Sequence, residues 1–358
     1  MVSIQKDVSL KNFSNYKIGG RAKYFLEVSS LLELKEGFAK WNKISETLPI
    51  FILGAGTNVL IGDKGFDGLV IHNNIKDMKI LEGKDIEILS EKDIKAKSLN
   101  ILISQYPNIF LSVGAGVLME DLLAFCIKNS LSGLEWAGGL PGTLGGAIRG
   151  NAGAFKGEIK DNIAEVTSLG IKTQQIKKRS LRDCKFEYRS SVFKSPLRQS
   201  FNEASQSEKE SGGQGAEARE IIIEAVLSFK KGSKNRIEEK IKEKIEYRKN
   251  RHPLEYPNIG SIFKNISLEK VPQKLLKQLK DSIKNDPFLI LPTAKLLALA
   301  GLKGKRAGGA MVSEKHPNFI VNLGNATSED VLELISKIKK TIRNKYGIEL
   351  EEEISILD

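Results

Sequence analysis

The chain is short of the residues that build metal centres and disulfide frameworks. It has two cysteines, Cys126 and Cys184, and three histidines, His72, His252 and His316, none at metal-ligand spacing. Cys126 shares the apolar face of an expected helix with Leu118, Leu122 and Phe125, which is the pattern of a packed thiol. No stretch approaches the roughly 20 apolar residues that span a bilayer. The N-terminal MVSIQKDVSLKNF lacks the apolar core of a signal sequence, so a cytoplasmic location is expected. A metal centre, a disulfide framework and a membrane span thus have no residues to build them.

Glycine, by contrast, is concentrated. Between Gly133 and Gly157 lie Gly138, Gly139, Gly142, Gly145, Gly146, Gly150 and Gly153, with no ionised side chain between Trp136 and Ile148. Glycine is costly to order and packs nothing. So dense a run implies backbone that bends sharply, approaches something closely or points N–H groups at an anion. A flexible linker would not carry Trp136, Leu140, Leu144, Ile148 and Phe155. An ordered loop with a short helix, lying against a flat phosphorylated cofactor, is expected.

Positive charge is also abundant, at +12 overall, and half of the excess falls in 230–252, with ten Lys/Arg against four Glu. A nucleic-acid surface is one reading. However, Ile237, Ile241 and Ile245 fall on one helical face and Glu238 precedes Lys242 by four residues, the signature of a solvated amphipathic helix. Its cations can also attract an anionic small substrate.

At 358 residues and 41% hydrophobic, the chain can bury two or three cores. The apolar periodicities predict strands at Tyr24–Val28, Pro49–Leu53, Val59–Ile61, Leu69–Asn73 and Ile109–Val113, and helices at Leu31–Trp41 and Leu118–Asn129. Antiparallel strands are expected at Ile163–Leu169, Gln175–Lys178, Cys184–Tyr188 and Ile221–Phe229, and a domain boundary near residue 230. Residues 75–108, with apolar runs at Ile86–Leu89 and Leu99–Ile103, read as hairpin and insertion, and Ser205–Ala218 as a mobile surface loop. The last third predicts helices at Thr293–Ala300 and Val331–Asn344, a strand at Asn318–Asn322, and a final strand. In that strand Ile348, Leu350, Ile354 and Ile356 face one way and Glu349, Glu351, Glu353 and Ser355 the other. The segment Gly54-Ala55-Gly56-Thr57-Asn58 follows a short buried strand and suits a phosphate, but equally a plain tight turn. It lacks the third glycine of the Rossmann fingerprint.

Taken together, NYKIGGRA (15–22), ILGAGTNVLI (52–61), VGAG (113–116), GLEWAGGLPGTLGGAIRGNAGAFKGE (133–158), FEYRSSVFK (186–194), PLEYPNIGSIFKN (253–265), GLKGKRAGGAMVSEKHPNFIVN (301–322) and GIELEEEI (347–354) resemble the UDP-N-acetylenolpyruvoylglucosamine reductase family, in that family's order. The resemblance implies an α+β chain. A two-lobed vanillyl-alcohol-oxidase/PCMH-type FAD-binding domain would occupy 1–230, with lobes at 1–72 and 73–230, and an α+β substrate-binding domain 231–358. It implies non-covalent FAD, since no histidine follows Gly19-Gly20 or the 54–58 loop, and NADPH as co-substrate. The enolpyruvyl group of a UDP-sugar would be reduced to UDP-N-acetylmuramate, in peptidoglycan precursor synthesis. A monomer that binds neither nucleic acid nor membrane is expected.

Residue by residue, the resemblance places FAD contacts at Tyr16, Gly54, Ala55, Gly56, Thr57, Asn58, Gly138, Gly139, Gly145, Gly146, Asn151, Ala152 and Gly153. Arg189 would be the cation for the substrate carboxylate, its planar fork suiting that partner. Ser261 would be the proton donor to the substrate carbon, and Glu353 its C-terminal partner. Arg251, Lys264 and Asn265 would contact the UDP-sugar. As residues alone, Arg189 reads more readily as a surface arginine in a strand-end turn, and Ser261 as a turn serine after Gly260. Periodicity cannot choose among Glu349, Glu351 and Glu353, and beside a substrate carboxylate Glu353 would favour its protonated form. Glu352 and Ser355 depart from the proline and arginine frequent in the family. The loop 195–220 contains no tyrosine, as in the shorter, loopless subclass. Another FAD-dependent oxidoreductase of the same fold is the alternative, and a non-catalytic basic nucleic-acid-binding protein a remote one.

Overall fold

A computed structural model describes residues 2–45, 47–82, 108–194 and 220–358. The runs Ile86–Leu89 and Leu99–Ile103 and the loop Ser205–Ala218 lie outside the described residues.

The first sheet orders the strands Gln5–Ser9, Arg21–Val28, Phe66–Asn73 and Ile50–Leu53. Its first pair is antiparallel, and the other two are parallel. The helix Leu31–Trp41 covers it with Leu34, Phe38 and Trp41, which recur at helical spacing and are buried. Ser30 caps that helix by accepting from Glu33 N–H at 3.2 Å.

The second sheet is antiparallel, in the order Ile176–Ser180, Ile163–Gly170, Glu220–Lys231, Ile109–Gly114 and Met78–Ile80. The helices Met119–Asn129 and Lys234–Arg251 pack on this lobe. Ile237 and Ile241 of the basic helix share a core with Leu122, Leu134 and Trp136. The basic helix therefore packs with the second lobe, because its two innermost isoleucines are buried there. The segment Cys184–Tyr188 is a turn rather than a strand. Lys185 and Arg189 adopt left-handed φ of 46° and 54°. Glu187 and Ser190 exchange backbone hydrogen bonds at 3.1 Å, so the chain folds back before a ladder can form.

The C-terminal part packs the helices Thr293–Leu299 and Ser328–Tyr346 against a small antiparallel sheet of Arg306–Ala307, Ala310–Val312 and Ile320–Asn322. Thr327 and Asp330 form a capping box at the start of the long helix, and Gly347, at φ 67°, ends it. This core also takes in Tyr16, Ile18 and Leu60 from the N-terminal third. The expected final strand is shorter than its alternation implies. Residues 348–354 form no regular strand beyond an isolated bridge between Glu352 and Phe263, and only Ser355–Leu357 forms a strand, parallel to Val59–Ile61. Ile348, Leu350 and Ile354 are buried as expected. The described residues carry no helix long and apolar enough to cross a membrane.

Candidate active site

A cleft of about 1060 Å³ opens between the two glycine turns and the C-terminal part. Residues 54–58 line it from one side and Gly139, Gly142, Gly145, Gly146, Ala152 and Gly153 from the other. The turns touch. A Cβ at Gly54 would stand 2.6 Å from Thr143 Oγ1, and one at Gly142 would stand 2.8 Å from Thr57 Oγ1. Gly56 has φ 62°, and any side chain there would meet the Phe13 carbonyl. Among the described residues, the N–H groups of Ala55, Gly56 and Thr57 donate to no protein acceptor. Unpaired amides on a wall too close for side chains fit the diphosphate of a dinucleotide such as FAD.

Three further side chains converge on this cleft. Ser261 sits after a turn in which Gly260 has φ 84° and its N–H donates to Asn258 Oδ1 at 3.0 Å. Its hydroxyl has no hydrogen-bond partner among the described residues. Glu353 is brought to it by backbone pairing, its N–H donating to the Ile262 carbonyl at 2.8 Å. Lys264 N–H likewise donates to the Glu351 carbonyl at 2.9 Å. Asn58 ties the first glycine turn to the same segment, its side-chain amide donating to the Glu353 carbonyl at 3.2 Å. Arg189 enters from the second lobe, with Nη2 donating to the Gly153 carbonyl at 3.0 Å and Nε 2.6 Å from Glu353 Oε1. Nε has no well-aligned hydrogen-bond acceptor, so the contact to Glu353 is an ion pair. Burial opposes the Arg189 charge, but Glu353 and Tyr188 outweigh it and hold its pKa above the ordinary arginine range.

The three glutamates that share an expected face are sorted by their partners. Glu349 pairs with Arg343, Glu351 with Lys264 and Lys270, and Glu353 alone faces Arg189. Glu352, the departure from the family pattern, pairs with Lys339 at 2.8 Å, which keeps it off Arg189.

Five expected contacts do not reach the cleft. The Tyr16 side chain is fully buried in the C-terminal core, its hydroxyl donating to the Ile320 carbonyl at 2.8 Å, while Asn15 and Lys17 on either side line the cleft. Gly138 abuts the basic helix, where a Cβ would stand 2.5 Å from the Ile241 carbonyl. Asn151 is sealed in, donating to Glu158 Oε1 and the Glu187 carbonyl, both at 2.9 Å. Arg251 is exposed over the Tyr247 ring, and Arg248, nearly one helical turn earlier, lines the cleft in its place. Lys264 is held at the edge by Glu351, 3.2 Å away. Asn265 does line the cleft, its Oδ1 accepting from Thr293 N–H at 3.2 Å.

Other lining residues carry no expectation from the sequence. Arg248 donates from Nε to the Gly138 carbonyl at 2.9 Å, and burial with the nearby Arg189 charge lowers its pKa to about 10. Lys194 donates to the Arg189 carbonyl at 2.8 Å, and burial and neighbouring cations lower its pKa to about 8. Arg149, on the short helix Leu144–Arg149, is also depressed by burial. Tyr188 lies beside Arg189, its hydroxyl accepting from Asn265 N–H at 3.3 Å. Lys194 and Tyr188 fall inside FEYRSSVFK and Arg149 inside the glycine stretch, so motif membership was the available signal. His252 and His316, unrelated by sequence spacing, meet with ring centroids 5.4 Å apart, and burial lowers each pKa to about 4.

Residues 252–357 match the family model of the UDP-N-acetylenolpyruvoylglucosamine reductase C-terminal domain, and residues 93–170 match that of an FAD-binding domain. The chain is 32% identical to the UDP-N-acetylenolpyruvoylglucosamine reductase of Lachnoclostridium phytofermentans over 97% of its own length and 91% of the relative's. To that of Carboxydothermus hydrogenoformans it is 34% identical, over 97% and 92%. The solved UDP-N-acetylenolpyruvylglucosamine reductase from Thermus caldophilus superposes over 100% of both chains, with a TM-score of 0.66 and 26% identity. The glycine cradle, the convergent Arg189, Ser261 and Glu353, and these full-length likenesses lead to one conclusion: the chain belongs to the UDP-N-acetylenolpyruvoylglucosamine reductase family.

Proposed function

We propose that the protein reduces the enolpyruvyl group of UDP-N-acetylglucosamine enolpyruvate to the lactyl group of UDP-N-acetylmuramate, with NADPH as reductant, in peptidoglycan precursor synthesis. Held in this cleft, FAD would supply the hydride transfer from NADPH to the substrate. The observation that carries this reading is the convergence of Ser261, Arg189 and Glu353, from three separate segments, on the cleft lined by the glycine cradle.

The chain's own groups divide the work. The unpaired amides of Ala55, Gly56 and Thr57 would hold the FAD diphosphate. The N–H groups of Gly145 and Gly146 are taken by the Ala115 carbonyl and Thr143 Oγ1, so the second glycine turn, with Ala152 and Gly153, would instead let the cofactor lie close to backbone. Hydride addition to a vinyl ether carboxylate moves negative charge toward the carboxylate. Arg189, fixed between Gly153 and Glu353, meets that charge where it develops and so stabilises the transition state more than the ground state. The Ser261 hydroxyl, with no protein partner to give up, delivers the proton to the adjacent carbon. Glu353 holds Arg189 in place and borders the carboxylate site. Asn265, Arg248 and Arg149 line the space left for the rest of the UDP-sugar. A cytoplasmic monomer, with an FAD-binding domain over 1–230 and a substrate-binding domain over 231–358 whose first helix, Lys234–Arg251, packs back on the second lobe, belongs to the same proposal.

Purified protein should be yellow. NADPH should bleach the flavin bands, and UDP-N-acetylglucosamine enolpyruvate should restore them without oxygen, while simple alcohols should not reduce the flavin. A yellow protein that bleaches but does not recover with this substrate would support a different FAD-dependent oxidoreductase of the same fold.

A further inference from the structure

We propose that Lys194 is a positioning residue for Arg189, holding its backbone so that the guanidinium meets the substrate carboxylate, and that it does so as an ammonium. The proposal rests on the reaction assigned above.

Arg189 has φ 54°, a conformation that costs a side-chain-bearing residue free energy and persists only when the surroundings over-determine it. Its flanks are tied down. Glu187 and Ser190 bond each other, Asn151 donates to the Glu187 carbonyl, and the Ser191 hydroxyl donates to the Arg149 carbonyl at 2.8 Å. Of the peptide that follows the strained torsion, the Ser190 N–H is held by the Glu187 carbonyl at 3.1 Å. Its carbonyl, that of Arg189, is held by Lys194, with Nζ 2.8 Å from the oxygen. The chain reaches back through the single 3-10 turn Val192–Lys194, whose last N–H donates to the Ser191 carbonyl at 2.9 Å. Carbonyl and guanidinium of one residue are thus each held, the first by Lys194 and the second by Glu353 with Gly153.

The charges facing Lys194 come from every element around it. Lys264 approaches from the Ser261 segment, Arg149 from the short helix, and Arg189 from its own turn, with Glu353 the carboxylate among them. Burial and these cations bring its pKa down to about 8, so the charged form is present at neutral pH and lost in mild alkali. An incoming substrate carboxylate adds negative charge to a cluster in excess of positive charge. Substrate binding should therefore raise the Lys194 pKa and draw a proton onto it above pH 8.

The test uses the holoenzyme. In the wild type, kcat/KM for the enolpyruvyl substrate should fall above a midpoint near pH 8, with the kcat limb displaced to higher pH, since kcat/KM reports the free enzyme and kcat the complex. Lys194→Arg should move the kcat/KM limb out of range. Lys194→Met should remove it and lower kcat/KM by about tenfold to a hundredfold, the loss of one charge-assisted hydrogen bond. Calorimetry of UDP-N-acetylmuramate binding in buffers of different ionisation enthalpy should show proton uptake above pH 8 in the wild type and none in Lys194→Arg. The inference is overturned if the limb stays put in Lys194→Arg, if Lys194→Met keeps kcat/KM within about twofold, or if the wild type takes up no proton, a measurement that needs no variant. If the wild type does not reduce the enolpyruvyl substrate at all, it is the assigned reaction that fails.

Discussion

Arg189 Nε lies 2.6 Å from Glu353 Oε1, an ion pair that joins a tight turn of the second lobe to the segment before the last strand. Each side chain of the pair is about one-fifth exposed, at 19% and 20%. Glu353 is itself bonded through its backbone to Ile262, beside Ser261. The pair therefore joins two of the segments that line the cleft, next to the one that carries Ser261.

Ser261→Ala should leave flavin bleaching by NADPH intact and stop recovery with the enolpyruvyl substrate. Stopped-flow absorbance separates the two halves. Unchanged recovery would remove Ser261 from the proton-donor role.

Arg189→Lys keeps the charge but loses the fork that bridges Gly153 and Glu353. Recovery should slow by roughly a hundredfold, as for loss of one preorganised charge-stabilising group. Glu353→Gln should slow the same step while leaving FAD content at wild-type level. An equal loss in the NADPH step would place both residues in general folding rather than at the substrate carboxylate.

At Gly54 and Gly56 a side chain invades the cradle wall. Gly56→Ala adds the cost of φ 62° to a collision with the Phe13 carbonyl, so both FAD retention and stability should fall, the latter by about 1–3 kcal/mol. The ratio of flavin to protein absorbance and a thermal melt measure each. A fully yellow, equally stable variant would contradict the cradle.

Tyr16→Phe should behave in the opposite way. It strips a buried hydroxyl from the Ile320 carbonyl and should cost about 1–2 kcal/mol in stability, with FAD content unchanged. Loss of flavin without loss of stability would return Tyr16 to the cofactor site.

Acid should weaken the fold through His252 and His316. Each has a folded pKa of about 4 against an ordinary value of 6.5, so the unfolded chain binds protons first as pH falls. Their stabilising contribution is complete above the ordinary value and is lost as pH drops through the window between the two. His316→Phe should flatten the denaturation midpoint across that window. An unchanged slope in the variant would locate the titration elsewhere.

Much of this was legible in the sequence, and the parts that were share a cause. The helix Leu31–Trp41 begins and ends where its apolar spacing says, because Leu34, Phe38 and Trp41 need only one face to bury. The left-handed torsions at Gly56, Gly139 and Gly142 fall where glycine is dense. The motif around Ser261 also led to the cleft, because a turn is a local structure and its residue types specify it.

What only the tertiary structure decided is direction and partnership. Three glutamates alternate along 349–353 with nothing local to separate them; Arg343, Lys264 with Lys270, and Arg189 separate them by arriving from distant elements. Tyr16 and Asn15 are adjacent, yet one is buried in the core and the other lines the cleft. His252 and His316 meet across the fold without any spacing to announce it. Sequence determined the glycine cradle, the helical faces and the serine turn, because sterics and burial act within a few residues. The opposition of guanidinium, carboxylate and hydroxyl depends on three lengths of chain packed together, and charge and hydrogen bonding across such distances exist only once those cores have formed.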